Sequence, residues 1–452
     1  MKIPQFKPKC QGQVIEEEFT GKNLTHFGGA GLITKFFERI GLHQVLSPLN
    51  TVQERKEGSY SPVHIILAVI YGLFLGAERP YAMGSFLAKD EVFKFITGLA
   101  NFPSQSTLSR FLKWTKKKMA EKLAAINLNT LMEMRDGFSS WLKKGLTIDL
   151  DSHVKTVYGD QQRAKKGYNP KKWGRKSYHP LLAFIGETKD FISGIFRPGD
   201  HHTSYHAIDL LKAIVKVMPS GSIKRLRADS GFFSKDFILD VVKLGLEYYI
   251  TVPLQTWVQK LILTTHDWHP ISKGMSYAEI SFRLSANLAT RLVVIRTEVK
   301  RGEKPKKQPL LLKEKMPVYD YQVISTGSKT SAYEVWKFYN KRASCENMIK
   351  EGIYSYGLDH VVSHNWSGNS LWFQAVMFAY NLMNWFKEGV LGQQKCKNFG
   401  ASIRQRIFLV PSRLVNIGRR WKLKLEKSWV WRKSFELAKY RLISFNKLAL
   451  AT

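Results

Sequence analysis

The order of element types after Gly145 constrains the fold more than anything else in the chain. Before that glycine, apolar residues recur every three or four positions. After it they alternate. Leu146-Thr-Ile-Asp-Leu-Asp-Ser-His153 reads as a strand, and Pro180–Gly186 and Phe191–Phe196 read as two more, joined by a turn at Glu187–Asp190. Tyr205–Met218 is an amphipathic helix, Ser222–Ala228 a strand, Ser234 the start of a helix, and Tyr248–Val252 a strand. Strand, meander, helix, strand, helix predicts an α/β core. From 254 to 330 the pattern turns antiparallel, with Ala278–Leu284, Thr290–Arg296 and Tyr319–Ile324 as strands and a basic loop at Lys300–Lys307. We read this as a β-rich insertion. A helix over Ser331–Gly352 follows.

Three acids stand out against this pattern. Asp149 and Asp151 fall, with His153, on one face of the first strand. Acids are depleted in strands, so the pair implies either a wet edge strand or a cation. Asp229 ends the strand 222–228, before Ser230-Gly231. Ligands bind at strand carboxyl ends in α/β sheets, and Ser234 already offers the helix cap. Further on, Tyr339, Arg342, Glu346 and Lys350 are spaced to share one helical stripe. The plain alternative is a solvated face carrying Arg–Glu and Glu–Lys pairs worth roughly 0.3–0.5 kcal/mol each. Hard carboxylate oxygens from Asp151 (or Asp149), Asp229 and Glu346 suit Mg²⁺, with Mn²⁺ able to substitute. Two such ions would activate a water and stabilise the leaving oxygen of a phosphodiester. Tyr339, Arg342 and Lys350 would then hold phosphates. His201-His202 on a loop point apart and are not read as ligands.

Charge names the partner class. Lys and Arg number 70 against 36 acids, a net +34. Such an excess opposes compaction by self-repulsion and suits a polyanion such as double-stranded DNA. The cations are spread along the chain. One cluster, Lys165, Lys166, Lys171, Lys172, Arg175 and Lys176, follows the first acidic strand; another lies in Arg404–Lys447. Arg110 lies on a helix opened by Pro103-Ser104, placed like a recognition helix or a plain capped one. No long uncharged apolar run suits a membrane span. Leu371–Phe386 is interrupted by Gln374, Asn381 and Asn384 and reads as a core helix. Trp257 and Trp268 are read as core packing before base stacking. Cys10, Cys345 and Cys396 are too few and scattered for a disulfide framework or zinc site. A reducing cytoplasm, with the protein at the nucleoid, is the expected location.

The element order fits a ribonuclease-H-like catalytic core over 145–253 and 331–390. The insertion is 254–330, a helical DNA-binding region 1–144, and a basic helical region 391–452. On these residues the chain resembles the DDE transposases of the IS4-related group. The carriers are Asp151, then Asp229-Ser-Gly-Phe232, then Tyr339-x₂-Arg342-x₃-Glu346. Asp149-Leu-Asp-Ser152, Gly159-Asp-Gln161, Tyr178-His-Pro-Leu-Leu182, Arg197-Pro-Gly199 and Arg227–Phe232 are similar to its IS1380 branch. The resemblance implies cut-and-paste movement of an insertion element, with binding of its terminal inverted repeats and of target DNA, and a homodimer in a synaptic complex. Two departures stand out. The family's Lys, seven residues after the Glu, is Ile353 here, and Lys350 is the nearest substitute. The residues after the first acid are Ser152-His153. The motif favours Asp151 over Asp149, and a non-catalytic DNA-binding descendant is the alternative.

Overall fold

The strand expected at Leu146 forms in the middle of a sheet, not at an edge. The computed structural model describes residues 18–52, 60–141, 143–170, 172–286, 288–299, 319–392 and 399–445, with the backbone of 9–10 and 13–14. Its main sheet is mixed and nine-stranded. In chain order the strands are β1 (Leu146–Ser152), β2 (Leu181–Ile185), β3 (Phe191–Ile195), β4 (Ile223–Ala228), β5 (Glu247–Thr251), β6 (His269–Ser272), β7 (Met275–Ser285), β8 (Leu288–Glu298) and β9 (Tyr319–Thr326). In space they run β6-β7-β8-β9-β5-β4-β1-β2-β3.

β1, β4 and β5 are mutually parallel, while β2 and β3 return antiparallel as the meander. The helices Ala207–Val217 and Lys235–Lys243 make the crossovers into β4 and β5. The β1–β4 register decides what meets at the sheet's end. Arg227 lies opposite Asp149 and Ala228 opposite Leu150. Asp229 and Asp151 are each one residue further on, at the carboxyl ends of neighbouring parallel strands.

The β-rich stretch does not fold apart from the core. Its strands extend the main sheet, with β9 pairing antiparallel to β5. Trp257 stacks on Phe282 with ring centroids 4.6 Å apart, and the Arg296 guanidinium lies 3.9 Å over Trp268. Both indoles are packing residues. The loop at 300–307 lies outside the described residues.

The opposite layer is helical. Trp366–Phe386 is buried along almost its whole length, and its interrupting polar residues explain themselves against the meander. Asn381 accepts from the Phe191 amide at 2.8 Å and donates to its carbonyl at 2.8 Å. Asn384 donates to Asp190 at 2.8 Å, and Gln374 to the Gly194 carbonyl at 3.2 Å. Amides paired in this way are compatible with a core, although the Gln374 side-chain oxygen is buried without a partner among the described residues. The helices Ala30–Arg39, Pro62–Leu75, Gln105–Trp114 and Lys117–Met134 share one apolar cluster with it and with the sheet. Position 144 is therefore a change of periodicity and not a gap in the core. Gly41, at φ +66°, divides the helix expected over 28–46 into Ala30–Arg39 and Leu42–Leu46. The C-terminal region differs from the helical expectation. Ser412–Ile417 and Arg420–Leu425 form a hairpin, edged by Leu24–Thr25, before the helix Arg432–Ser444. Among the described residues no single helix is long and apolar enough to cross a membrane.

Candidate active site at the strand ends

The two acids of β1 have different surroundings. Asp149 is fully buried and takes a bidentate contact from Arg227, with Nε at 2.6 Å and Nη2 at 2.8 Å. Arg227 also donates to the Phe338 carbonyl at 2.9 Å and lies 4.8 Å over the Phe338 ring. Burial pushes the Asp149 carboxyl up and Arg227 opposes it. Both oxygens of Asp149 are thus spent on a structural pair. The expected role of Asp149 as a metal ligand therefore competes with its buried ion pair to Arg227, which Asp151 does not share. A carboxylate inside a central strand needed a partner, and the cross-strand register supplies one.

Asp151 lies two residues on, near the end of the strand and still buried. One oxygen accepts from the Ser152 amide at 2.8 Å, and the other lies 2.9 Å from Arg342 Nη2. The same nitrogen is 4.0 Å from Asp229. Asp229 is half-exposed and caps the turn after β4 by accepting from the Gly231 amide at 2.9 Å. Burial pushes the Asp151 carboxyl up to about 6; Arg342 pulls it down, and the charges of Asp229 and Glu346 push it up again. Asp151 therefore feels the fields of the other two acids.

Glu346 is delivered by a bent helix pair. The single helix expected over 331–352 is two, Ala332–Asn340 and Ala343–Tyr356, meeting at Lys341-Arg342. Ser331 and Glu334 form a capping box that starts the first. At the junction the amides of Arg342 and Cys345 bond three residues back, at 2.8 Å each. This tighter turn aims Arg342 inward at the acids, while Glu346 and Lys350 are exposed on the second helix. Tyr339 is buried, and its hydroxyl pairs with Thr251 at 3.1 Å. Its expected role as a phosphate donor therefore competes with this contact inside the fold. Among the described residues no three His, Cys, Asp or Glu side chains stand close enough to share an ion.

Two residues shortly after Asp151 also carry polar contacts. His153 pairs through Nε2 with Asp359, beyond the Glu346 helix. Lys155 is buried, its ammonium 5.7 Å over the Phe196 ring, and burial lowers it to about 7 against the pull of Asp359. Arg227 enters the sequence only as part of the Arg227–Phe232 motif; its pairing with Asp149 follows from the cross-strand register. Apart from the buried Arg342, the described cations expected to contact DNA lie at the surface. Arg110 is exposed with Nε 3.3 Å from the Ser106 carbonyl. Lys165 and Lys166 form an exposed strand paired to Ser177 and Lys176. Lys172 and Arg175 are exposed in the same loop. Lys171 lies outside the described residues.

A family model described as transposase DDE domain group 1 matches residues 7–446. No match is found among curated proteins. Among solved structures, a piggyBac transposase in a synaptic complex with hairpin DNA is similar at 11% identity and a TM-score of 0.46. The likeness covers 85% of this chain and 80% of that one.

Proposed function

The chain belongs to the transposases that carry a DDE domain. On that footing we propose that it binds the terminal inverted repeats of an insertion element, of the IS1380 branch of the IS4-related group. It cuts and rejoins DNA there with Asp151, Asp229 and Glu346 as catalytic acids, at the bacterial nucleoid and as a synaptic homodimer. The observation that carries this reading is the pairing of Asp151 and Asp229 at the ends of adjacent parallel strands, with one guanidinium between them. The order β5-β4-β1-β2-β3, with its two crossover helices, supports a ribonuclease-H-like core.

By ligand chemistry three carboxylates suit a hard divalent cation, and Glu346 would have to approach the other two to complete the set. Asp151 is pushed up by burial and by two neighbouring carboxylates, and a cation there would relieve both effects. Asp151, Asp229 and Glu346 would hold it. Bound Mg²⁺ supplies water activation and charge stabilisation at the leaving oxygen. The remaining work falls to the chain. β1 and β4 fix two carboxylates with little freedom to move, because their strands are buried in the sheet. The second helix presents Glu346 from the solvent side. Arg342, released from Asp151, has a guanidinium suited to a phosphate oxygen of the scissile strand. Lys350, one turn after Glu346, supplies a second cation on the same face. The exposed cations of the loop 158–176 would bind backbone phosphates further along the duplex.

The test is an incubation with Mg²⁺ and a labelled duplex that carries the repeat of the element encoding the protein, beside Asp229→Ala. Cleavage at the element boundary that is lost in the variant is the expected result. Specific binding without cleavage by either protein, in Mg²⁺ or Mn²⁺, would overturn the catalytic reading and leave a DNA-binding descendant.

A further inference from the structure

Between β1 and β2 the chain makes a small three-stranded sheet of its own, Lys155–Thr156, Lys165–Lys166 and Lys176–Tyr178. Its surface carries three large aromatic rings that are mostly exposed. Tyr158 is 72% exposed, Tyr168 73% and Trp173 92%. Single exposed rings are ordinary; three within one short loop call for a cause. They are interleaved with cations. Among the described residues of this loop, Arg163, Lys165, Lys166, Lys172, Arg175 and Lys176 face a single acid, Asp160, which already pairs with Lys176 at 2.7 Å. Tyr158, Lys166, Trp173 and Arg175 line an open cleft of about 370 Å³. That is within the roughly 300–1,000 Å³ of small-ligand sites. The Arg175 guanidinium lies 6.0 Å over the Tyr158 ring.

The cleft is built, not a loose flap. Asn169 donates to Thr156 at 3.0 Å and accepts from the Lys172 amide at 3.1 Å. The Tyr178 hydroxyl donates to the Gln162 carbonyl at 2.8 Å. A Cβ on Gly167 would stand 1.9 Å from the Gly199 carbonyl oxygen, so the loop is pressed against the turn that ends β3. Tyr158 follows Asp151 by seven residues, and their Cα atoms therefore lie within roughly 25 Å of each other.

We propose that this cleft is a stacking site for an unpaired nucleobase, on Trp173 and Tyr158, with Lys166 and Arg175 on the flanking phosphates. Cations alone would serve for the backbone of an intact duplex. Exposed rings beside them match a strand whose bases have left the helix, because every base offers a π-face. The inference rests on the DNA-processing reading above and adds to it a single-stranded substrate element close to the acids.

The test measures the affinity of the full-length protein, by fluorescence anisotropy at fixed salt, for a blunt DNA duplex and for the same duplex with an unpaired thymidine tail. The intact protein should bind the tailed duplex more tightly. Trp173→Ala should lose that preference by on the order of tenfold, the scale of one base–aromatic stack, and leave the blunt duplex unchanged. Trp173→Phe, which keeps a ring, should retain most of it. An intact protein without a preference overturns the stacking site, as does a Trp173→Ala variant that weakens both ligands equally. Failure to bind either duplex overturns the DNA-processing reading itself, and the stacking site with it.

Discussion

Replacing Arg227 separates structural from catalytic acids. Asp149 has no exposed surface, and both its oxygens depend on Arg227 at 2.6 and 2.8 Å. Arg227→Met keeps much of the side-chain volume but strands the carboxylate. Breaking a buried pair from one side costs about 3–5 kcal/mol. The loss should depend on pH with a definite sign. Burial already holds the Asp149 carboxyl above its ordinary value, and without the guanidinium it rises further. A raised acid penalises folding above its unfolded pKa, so the deficit relative to the parent is largest at neutral pH. It shrinks as pH falls through the raised value. Asp149→Asn in the Arg227→Met background should restore part of the loss, giving a coupling of about 0.5–3 kcal/mol. Urea denaturation followed by circular dichroism, at neutral and mildly acidic pH in chelator, measures all of this. DNA cleavage by the same variants completes the assay. An Asp149→Asn protein with unchanged stability and no cleavage, beside an active Asp151→Asn protein, would refute the assignment and make Asp149 the reacting acid.

Three smaller expectations follow from neighbouring residues. Lys155 is lowered to about 7 by burial, so the unfolded chain binds a proton between pH 7 and the ordinary lysine value that the folded chain does not. Lys155→Met should therefore raise the melting temperature at neutral pH, and the gain should fade as pH rises toward 10; an equal gain at both ends would refute it. Tyr339→Phe removes only the bond to Thr251. It should cost about 0.5–1.5 kcal/mol in urea denaturation and leave DNA affinity unaltered, whereas a loss of affinity would restore Tyr339 as a DNA contact. Lys172→Ala should weaken DNA binding evenly across sequences and reduce the slope of log affinity against log salt by about one; an unchanged slope would show that Lys172 meets no phosphate.

What could be read from the sequence was periodic. β1 through β5 follow from alternation and from the helices between them, and Pro62–Leu75 emerges with its expected start because Ser61 caps it. What could not be read depended on contacts between distant segments. Spacing alone put Tyr339, Arg342, Glu346 and Lys350 on one stripe. The tight turn at Lys341-Arg342 sends Tyr339 and Arg342 inward and leaves Glu346 and Lys350 outside. Alternation likewise put Asp149 and Asp151 on one face, but it could not say that Arg227 would reach the first and Arg342 the second. That difference comes from the β1–β4 register and from where the strand ends. The hairpin at 412–425 was hidden by its charge, since lysines and arginines on an exposed strand read like any basic surface.

Arg342 poses the remaining question about the acids, because a cation already lies against them. Its Nη2 is 2.9 Å from Asp151 and 4.0 Å from Asp229. A divalent ion held by those oxygens would meet that charge. Two unit charges about 4 Å apart interact by about 4 kcal/mol at an effective dielectric near 20, and partial exposure reduces this. Arg342→Gln should therefore tighten Mn²⁺ binding by an order of magnitude or more, measured by calorimetry at pH 8 without DNA. The pH matters, since losing Arg342 raises Asp151 beyond about 6, and a protonated acid would mask the gain. Cleavage should fall in the same variant, because the guanidinium that would move to a phosphate is gone. Tighter metal with weaker cleavage marks Arg342 as a residue exchanged between acid and substrate. Unchanged or weaker metal binding would mean that the guanidinium stabilises the acids for the ion and does not compete with it.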